Sequence, residues 1–159
     1  MKKLSTEDFR RIIKNTPLVS IDLVIENPEG KILLGLRNNL PAEGYWFVPG
    51  GRIFKDEKFK DAFRRIVKDE TGMNKNLEDS NFLGIYEHIY PGENYFGDPE
   101  FGTHYFVIAY RIKLEGPVPE YNSKQHTRYW WASPNELQHH PKVHENTKNY
   151  FNGLPSFSE

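Results

Sequence analysis

The chain contains no cysteine, which excludes a disulfide framework and any thiolate metal site and fits a reducing compartment. It has no long hydrophobic run. No stretch is apolar enough for long enough to cross a bilayer, and residues 1–8 turn polar and acidic where a signal peptide needs an apolar core. A cytosolic protein with no membrane partner is therefore expected. An excess of charge of either sign is also missing: 21 Lys and Arg stand against 22 Asp and Glu, for a net charge of −1. That balance argues against nucleic acid as a partner held by bulk electrostatics. Internal repeats, low-complexity tracts and Ser-, Gly- or Pro-rich linkers are absent as well, so residues 1–159 read as one domain.

What is present is a soluble globular composition, 37% hydrophobic and 27% charged. Aromatic residues, at 14%, gather at 45–47, 101–106 and 129–131. They serve either to pack a core or to offer a surface that stacks on a purine base.

The hydrophobic pattern places the elements. Ser5 followed by Asp8 resembles a capping box, and Phe9, Ile12 and Ile13 continue as a helical apolar stripe, predicting a helix over about 5–15 that Pro17 closes. Residues 18–26 and 31–36 read as strands around the turn Asn27-Pro28-Glu29-Gly30. Residues 45–48 form a short strand ending in Pro49-Gly50-Gly51. A helix follows over 58–71, with Phe59, Ala62, Phe63, Ile66 and Val67 on its buried face and Gly72 as its stop. Residues 83–90, 104–112 and 128–132 are further strands, with a loop over 91–102. Ser133 caps a brief helix, and 144–151 is a terminal one. Strands interleaved with helices predict an α/β fold: a mixed sheet flanked by helices, an α/β/α sandwich.

The segment that carries chemistry starts at Gly51. Five residues separate it from Glu57, seven more precede Arg65, and Asp69, Glu70 and Gly72 complete the run. Glycine at 50 and 51 lets the backbone approach a ligand and aim a carbonyl at a cation, and Asp69 and Glu70 supply the hard oxygens that Mg²⁺ prefers. Glu57 and Arg65, eight residues apart, are expected to share one face over two helical turns and to pair. An ordinary amphipathic helix with a solvated acidic end is the plainer reading of the same residues.

This spacing resembles the signature of Nudix hydrolases, with Asp69 in place of one glutamate. Ile66 stands where the common signature has another glutamate, on the same helical face as Glu70. Either the chain is an inactive relative, or it belongs to a subfamily that works with one metal and cleaves a different bond. GDP-mannose mannosyl hydrolases share this loss, and the chain is similar to them across nearly its whole length: Thr16 to Ser20, Gly44 to Arg52, Thr103-His104-Tyr105, Gln125-His126 and Tyr129-Trp130.

The resemblance implies a Nudix-type sandwich that hydrolyses GDP-mannose, with GDP-glucose as a further candidate substrate, to GDP and free sugar. Water attacks the sugar C1 with inversion. It implies one Mg²⁺ per subunit, with Mn²⁺ able to substitute, on the Gly50 carbonyl, Glu70 and Gln125. His126 matches the general base, and Arg37 and Arg52 match contacts to the leaving diphosphate. Asp22, His88 and Tyr105 match further active-site positions; Asp22 is also a charge in an otherwise apolar strand, which calls for a partner or a job. Lys3, Leu4 and Phe9 match residues that touch the nucleotide across a homodimer interface, with helix packing as the alternative for Phe9. The rival expectations are an ordinary Nudix pyrophosphatase acting on a nucleoside diphosphate derivative, and a non-catalytic module that binds a nucleotide sugar.

Overall fold

The central strand explains the layering. In β1 (Leu18–Glu26) the side chains alternate between two faces, and both faces are buried. A computed structural model describes residues 4–116 and 126–152. The remaining elements are α1 (Thr6–Asn15), β2 (Ile32–Arg37), β3 (Trp46–Phe47), β4 (Gly50–Arg52), α2 (Phe59–Thr71), a 3-10 turn over Leu77–Asp79, β5 (Asn81–Tyr90), β6 (Thr103–Lys113), β7 (His126–Ala132), α3 (Pro134–His139) and α4 (Glu145–Lys148), the last followed by a 3-10 turn over Asn149–Phe151. The sheet runs β3-β2-β1-β6-β5, with β4 paired to β1 and β7 to β2. Among the ladders between described strands, β1–β6 is parallel and the others are antiparallel. The mixed α/β sandwich expected from the pattern is the observed fold.

On one face, Ile21, Leu23 and Ile25 of β1 pack with Leu33 against Ala62, Phe63, Ile66 and Val67 of α2. On the other, Val24, Leu34, Val107 and Ala109 pack against Leu137, Val143 and Tyr150 from the C-terminal segment. Burying both faces is the main source of stability such a sheet has.

Local chemistry sets the helix ends. The Ser5 hydroxyl accepts from the Asp8 amide at 3.1 Å and donates to the Asp8 carboxylate, which starts α1. Gly72, at φ 69°, adopts the left-handed conformation that ends α2. Ser133 caps α3 in a full capping box with Glu136. Three expectations change. β4 is a separate strand, because the backbone at Gly50–Arg52 pairs with β1 instead of forming only a loop. β5, β6 and β7 each begin earlier than expected, since ladder bonds extend past the apolar alternation. The terminal helix is a single α-turn continued by a 3-10 turn.

The 91–102 loop is built around Asn94, whose side chain is fully buried. Its amide donates to the carbonyls of Asp98 (2.6 Å) and Phe101 (2.7 Å), and its carbonyl accepts from the Phe96 amide (3.0 Å). The neighbouring Glu93 accepts from the Ala42 amide at 2.8 Å, and Asp98 pairs with Arg10 of α1. Replacing Asn94 by Ala strands these buried groups. It should cost about 1–3 kcal/mol in urea unfolding and speed amide exchange within residues 94–101; unchanged stability and exchange would contradict this account of the loop.

Candidate active site

Gly50 and Asp22 face each other across the β4–β1 ladder, and Ala109 of β6 flanks Asp22 on the other side. The approach is close. A Cβ at position 50 would collide with Asp22 Oδ1 and lie 2.8 Å from the Ile21 carbonyl oxygen. Only glycine fits there. Asp22 Oδ2 accepts a hydrogen bond from the Tyr150 hydroxyl at 2.6 Å, and that hydroxyl lies 3.4 Å from His88 Nε2.

Burial dominates the electrostatics of this group. It pushes the Asp22 carboxyl up to about 6, against the opposing pull of the Tyr150 hydrogen bond and the Arg37 charge. Burial, with a smaller contribution from His144, lowers His88 to about 3, so its ring is neutral at ordinary pH. The Tyr105 hydroxyl is raised by burial and drawn back by Arg52 and Arg37. Asp22, Arg37, Arg52, His88 and Tyr105 are thus brought into one electrostatic cluster.

The arginines have distinct settings. Arg37, at the end of β2, lies with its guanidinium 5.4 Å from the Phe47 ring centroid and donates to Asn39 at 3.3 Å. Its Nε is buried and has no hydrogen-bond partner among the described residues. Such a donor suits an incoming anion. Arg52 stacks on Phe9 at 4.1 Å, within the same chain, and Phe9 also meets Tyr95 and Phe96 edge-on or tilted. Within the chain Phe9 packs against the Ile13, Leu18 and Phe101 cluster while its ring meets Arg52.

Glu57 and Arg65 form the expected pair, though not on one helix. Glu57 precedes α2, and Arg65 reaches back to it with bonds of 2.7 and 3.0 Å. Arg65 also donates to the Arg52 carbonyl at 2.8 Å, and Glu57 accepts from the Phe54 amide at 3.0 Å. Hydrogen bonds from Arg65 are the first cause holding the Glu57 carboxyl below its usual range. The two residues brace the loop after β4 against α2, and so support the site without facing it.

α2 presents its carboxylates differently. Asp69 points outward, 60% exposed, with Arg65 3.6 Å away. Glu70 is 5% exposed. Ile66, one turn earlier on the same face, is fully buried and lies 3.2 Å from where a Gly51 Cβ would be. Gly51 therefore secures close packing of β4 on α2. The described donors suit a divalent cation: Glu70 is a buried hard-oxygen side chain on α2, and α2 packs on β4, the strand that holds Gly50. Among the described residues no three His, Cys, Asp or Glu side chains converge. Gln125 and Lys3 lie outside the described residues. Leu4 is 47% exposed just ahead of α1. The backbone of His126 opens β7 in register with Arg37.

Three site residues escape sequence reasoning. Tyr150 holds Asp22 from 128 positions away. His144 stacks on Phe47 at 4.7 Å, and Tyr90 accepts from Asn146 at 3.1 Å. Nothing in the sequence near them singled them out.

The two shifted groups act in opposite directions on stability. Above 3.8 the unfolded chain releases the Asp22 proton before the folded one does, so Asp22 costs stability as pH rises to about 6. Below 6.5 the unfolded chain takes up the His88 proton first, so His88 favours stability as pH rises from about 3. Asp22→Asn removes only the first effect. In metal-free urea unfolding, the variant should gain on the native chain between pH 4 and 6, by up to roughly 3 kcal/mol; a pH-independent difference would contradict the assignment.

Comparison with known proteins agrees with this geometry. The NUDIX domain family matches residues 16–153. The chain is 37% identical over 141 residues to the low-salt glycan biosynthesis protein Agl8 of Haloferax volcanii, covering 89% of this chain and 86% of that one. It is 34% identical over 86 residues to an ADP-ribose pyrophosphatase of Methanocaldococcus jannaschii, covering 54% of this chain and 48% of the relative. In fold it is similar to a MutT NUDIX hydrolase from Burkholderia pseudomallei, with a TM-score of 0.69 at 23% identity, covering 88% of this chain and 99% of that one. A family match over most of the chain, on a fold that brings the signature loop and helix together, makes this protein a member of the Nudix hydrolase family.

Proposed function

We propose that this enzyme hydrolyses a GDP-sugar, GDP-mannose in the first instance, to GDP and the free sugar by attack of water at the sugar C1. The observation that carries the reading is Ile66, fully buried in the core where the common signature has a carboxylate. α2 then offers one buried carboxylate, Glu70 in its last turn, as the helix's candidate ligand. One cation suits a reaction in which the diphosphate only has to leave, whereas attack at phosphorus is commonly served by a cluster.

Gly50, Glu70 and Gln125 would hold one Mg²⁺, which when bound supplies positive charge for the departing diphosphate. Arg37 and Arg52 bind the two phosphates, and the buried Arg37 Nε supplies a donor otherwise left over. His126, whose strand position is opposite Arg37, takes a proton from water as its oxygen bonds to C1. The C1–O bond breaks, its electron pair stays with the diphosphate oxygen, and the sugar leaves with inverted configuration. Asp22, His88 and Tyr105 line the same cluster and orient the substrate. A relative named for glycan biosynthesis fits a nucleotide-sugar substrate. The same reading makes the protein a cytosolic homodimer, with Lys3, Leu4 and Phe9 reaching the nucleotide across the interface.

The ADP-ribose pyrophosphatase relative favours a second reading, cleavage between phosphates. The products separate the two: GDP and sugar, or GMP and sugar phosphate. His126→Gln should lower turnover of GDP-mannose by about 10²–10⁴ while leaving Mg²⁺ affinity, measured by calorimetry, nearly intact. Turnover like that of the native enzyme would remove His126 from the role of base.

A further inference from the structure

The C-terminal segment is strapped to the site by backbone bonds. The Trp46 amide donates to the Lys142 carbonyl at 2.8 Å, the His144 amide donates to the Trp46 carbonyl at 3.2 Å, and Val143 bridges to Trp46. Further along, the Asn146 side chain donates to the Tyr90 hydroxyl. These anchors deliver Tyr150 into the core. It is 7% exposed, with its ring edge-on to Tyr86 at 4.7 Å.

The terminal torsion of an aspartate is broad, so packing alone sets a carboxylate's orientation loosely. In Asp22 the orientation is set by one directional contact: Tyr150 donates its proton to Oδ2 at 2.6 Å. That leaves Oδ1 against the Gly50 backbone, where no Cβ is tolerated. The burial that keeps the Tyr150 hydroxyl protonated makes it a permanent donor. We infer that Tyr150 is a positioning residue, whose hydroxyl fixes the Asp22 carboxylate in the rotation the reaction needs, between Gly50 and Arg37. This rests on the proposed hydrolysis and deepens it: the 3-10 turn that ends the described chain is a working part of the site.

Tyr150 also belongs to the core, so its test must separate packing from positioning. Tyr150→Phe keeps the ring and removes only the hydroxyl. Turnover is measured with Mg²⁺ on GDP-mannose, and on ADP-ribose, for the native enzyme, Tyr150→Phe, Asp22→Asn and the double variant, alongside thermal unfolding. The expected result is a roughly tenfold fall in kcat for Tyr150→Phe, with KM close to native and an unfolding temperature lowered only by the loss of one buried hydrogen bond to Asp22. The double variant should be no slower than Asp22→Asn alone, because Tyr150 acts through Asp22. Tyr150→Leu, which also removes the ring, should lower the unfolding temperature. Native kcat in Tyr150→Phe, or losses that multiply in the double variant, would overturn the positioning role and leave the hydrolytic reading standing. Activity on ADP-ribose alone would remove the GDP-sugar reading, and the same four-way comparison on that substrate would decide for or against Tyr150. A native enzyme inert on both would overturn both.

Discussion

The close approach of β4 to β1 is the constraint on which the site depends. With glycine at 50, backbone meets the Asp22 carboxylate directly, and with glycine at 51, α2 packs tightly on the same strand through Ile66. A side chain at either position would push the loop away from the central strand or from the helix that carries Glu70. Arg65 and Glu57 then lock the loop from its far end, through the Arg52 carbonyl and the Phe54 amide. The signature residues divide accordingly. Some make room and some brace, while Glu70 is the buried carboxylate of the helix.

Burial gives the site its electrostatic character. A carboxyl raised to about 6, a neutral imidazole and tyrosines held protonated surround two arginines. At neutral pH a carboxyl at about 6 is still largely ionised, so Asp22 sets one negative charge against the two guanidinium groups that would meet an incoming diphosphate. The aromatic rings of Phe9 and Phe47 lie against those guanidinium groups, restraining them without neutralising them. Such a cluster costs stability when empty and favours anions of the right shape.

Much of this was legible because it is local. The helix stop at Gly72, the caps at Ser5 and Ser133, and the carboxylates at 69 and 70 follow from short-range rules. So did the oddity of Asp22 in an apolar strand. What the sequence hid was tertiary. Tyr150 meets Asp22 across 128 positions, and nothing near either residue announces the other. Glu57 and Arg65 keep a helical spacing yet meet because a loop folds back onto α2. The 91–102 loop reads as irregular, but a single buried asparagine organises it.

The account turns on where water attacks, because Ile66, the paired arginines and His126 all enter it as parts of a leaving-group reaction. Incubation with GDP-mannose and Mg²⁺ in ¹⁸O-labelled water, followed by mass spectrometry of the products, tests this directly. Label in mannose with unlabelled GDP is the predicted result. Label in a phosphate-containing product would place the attack at phosphorus and contradict it.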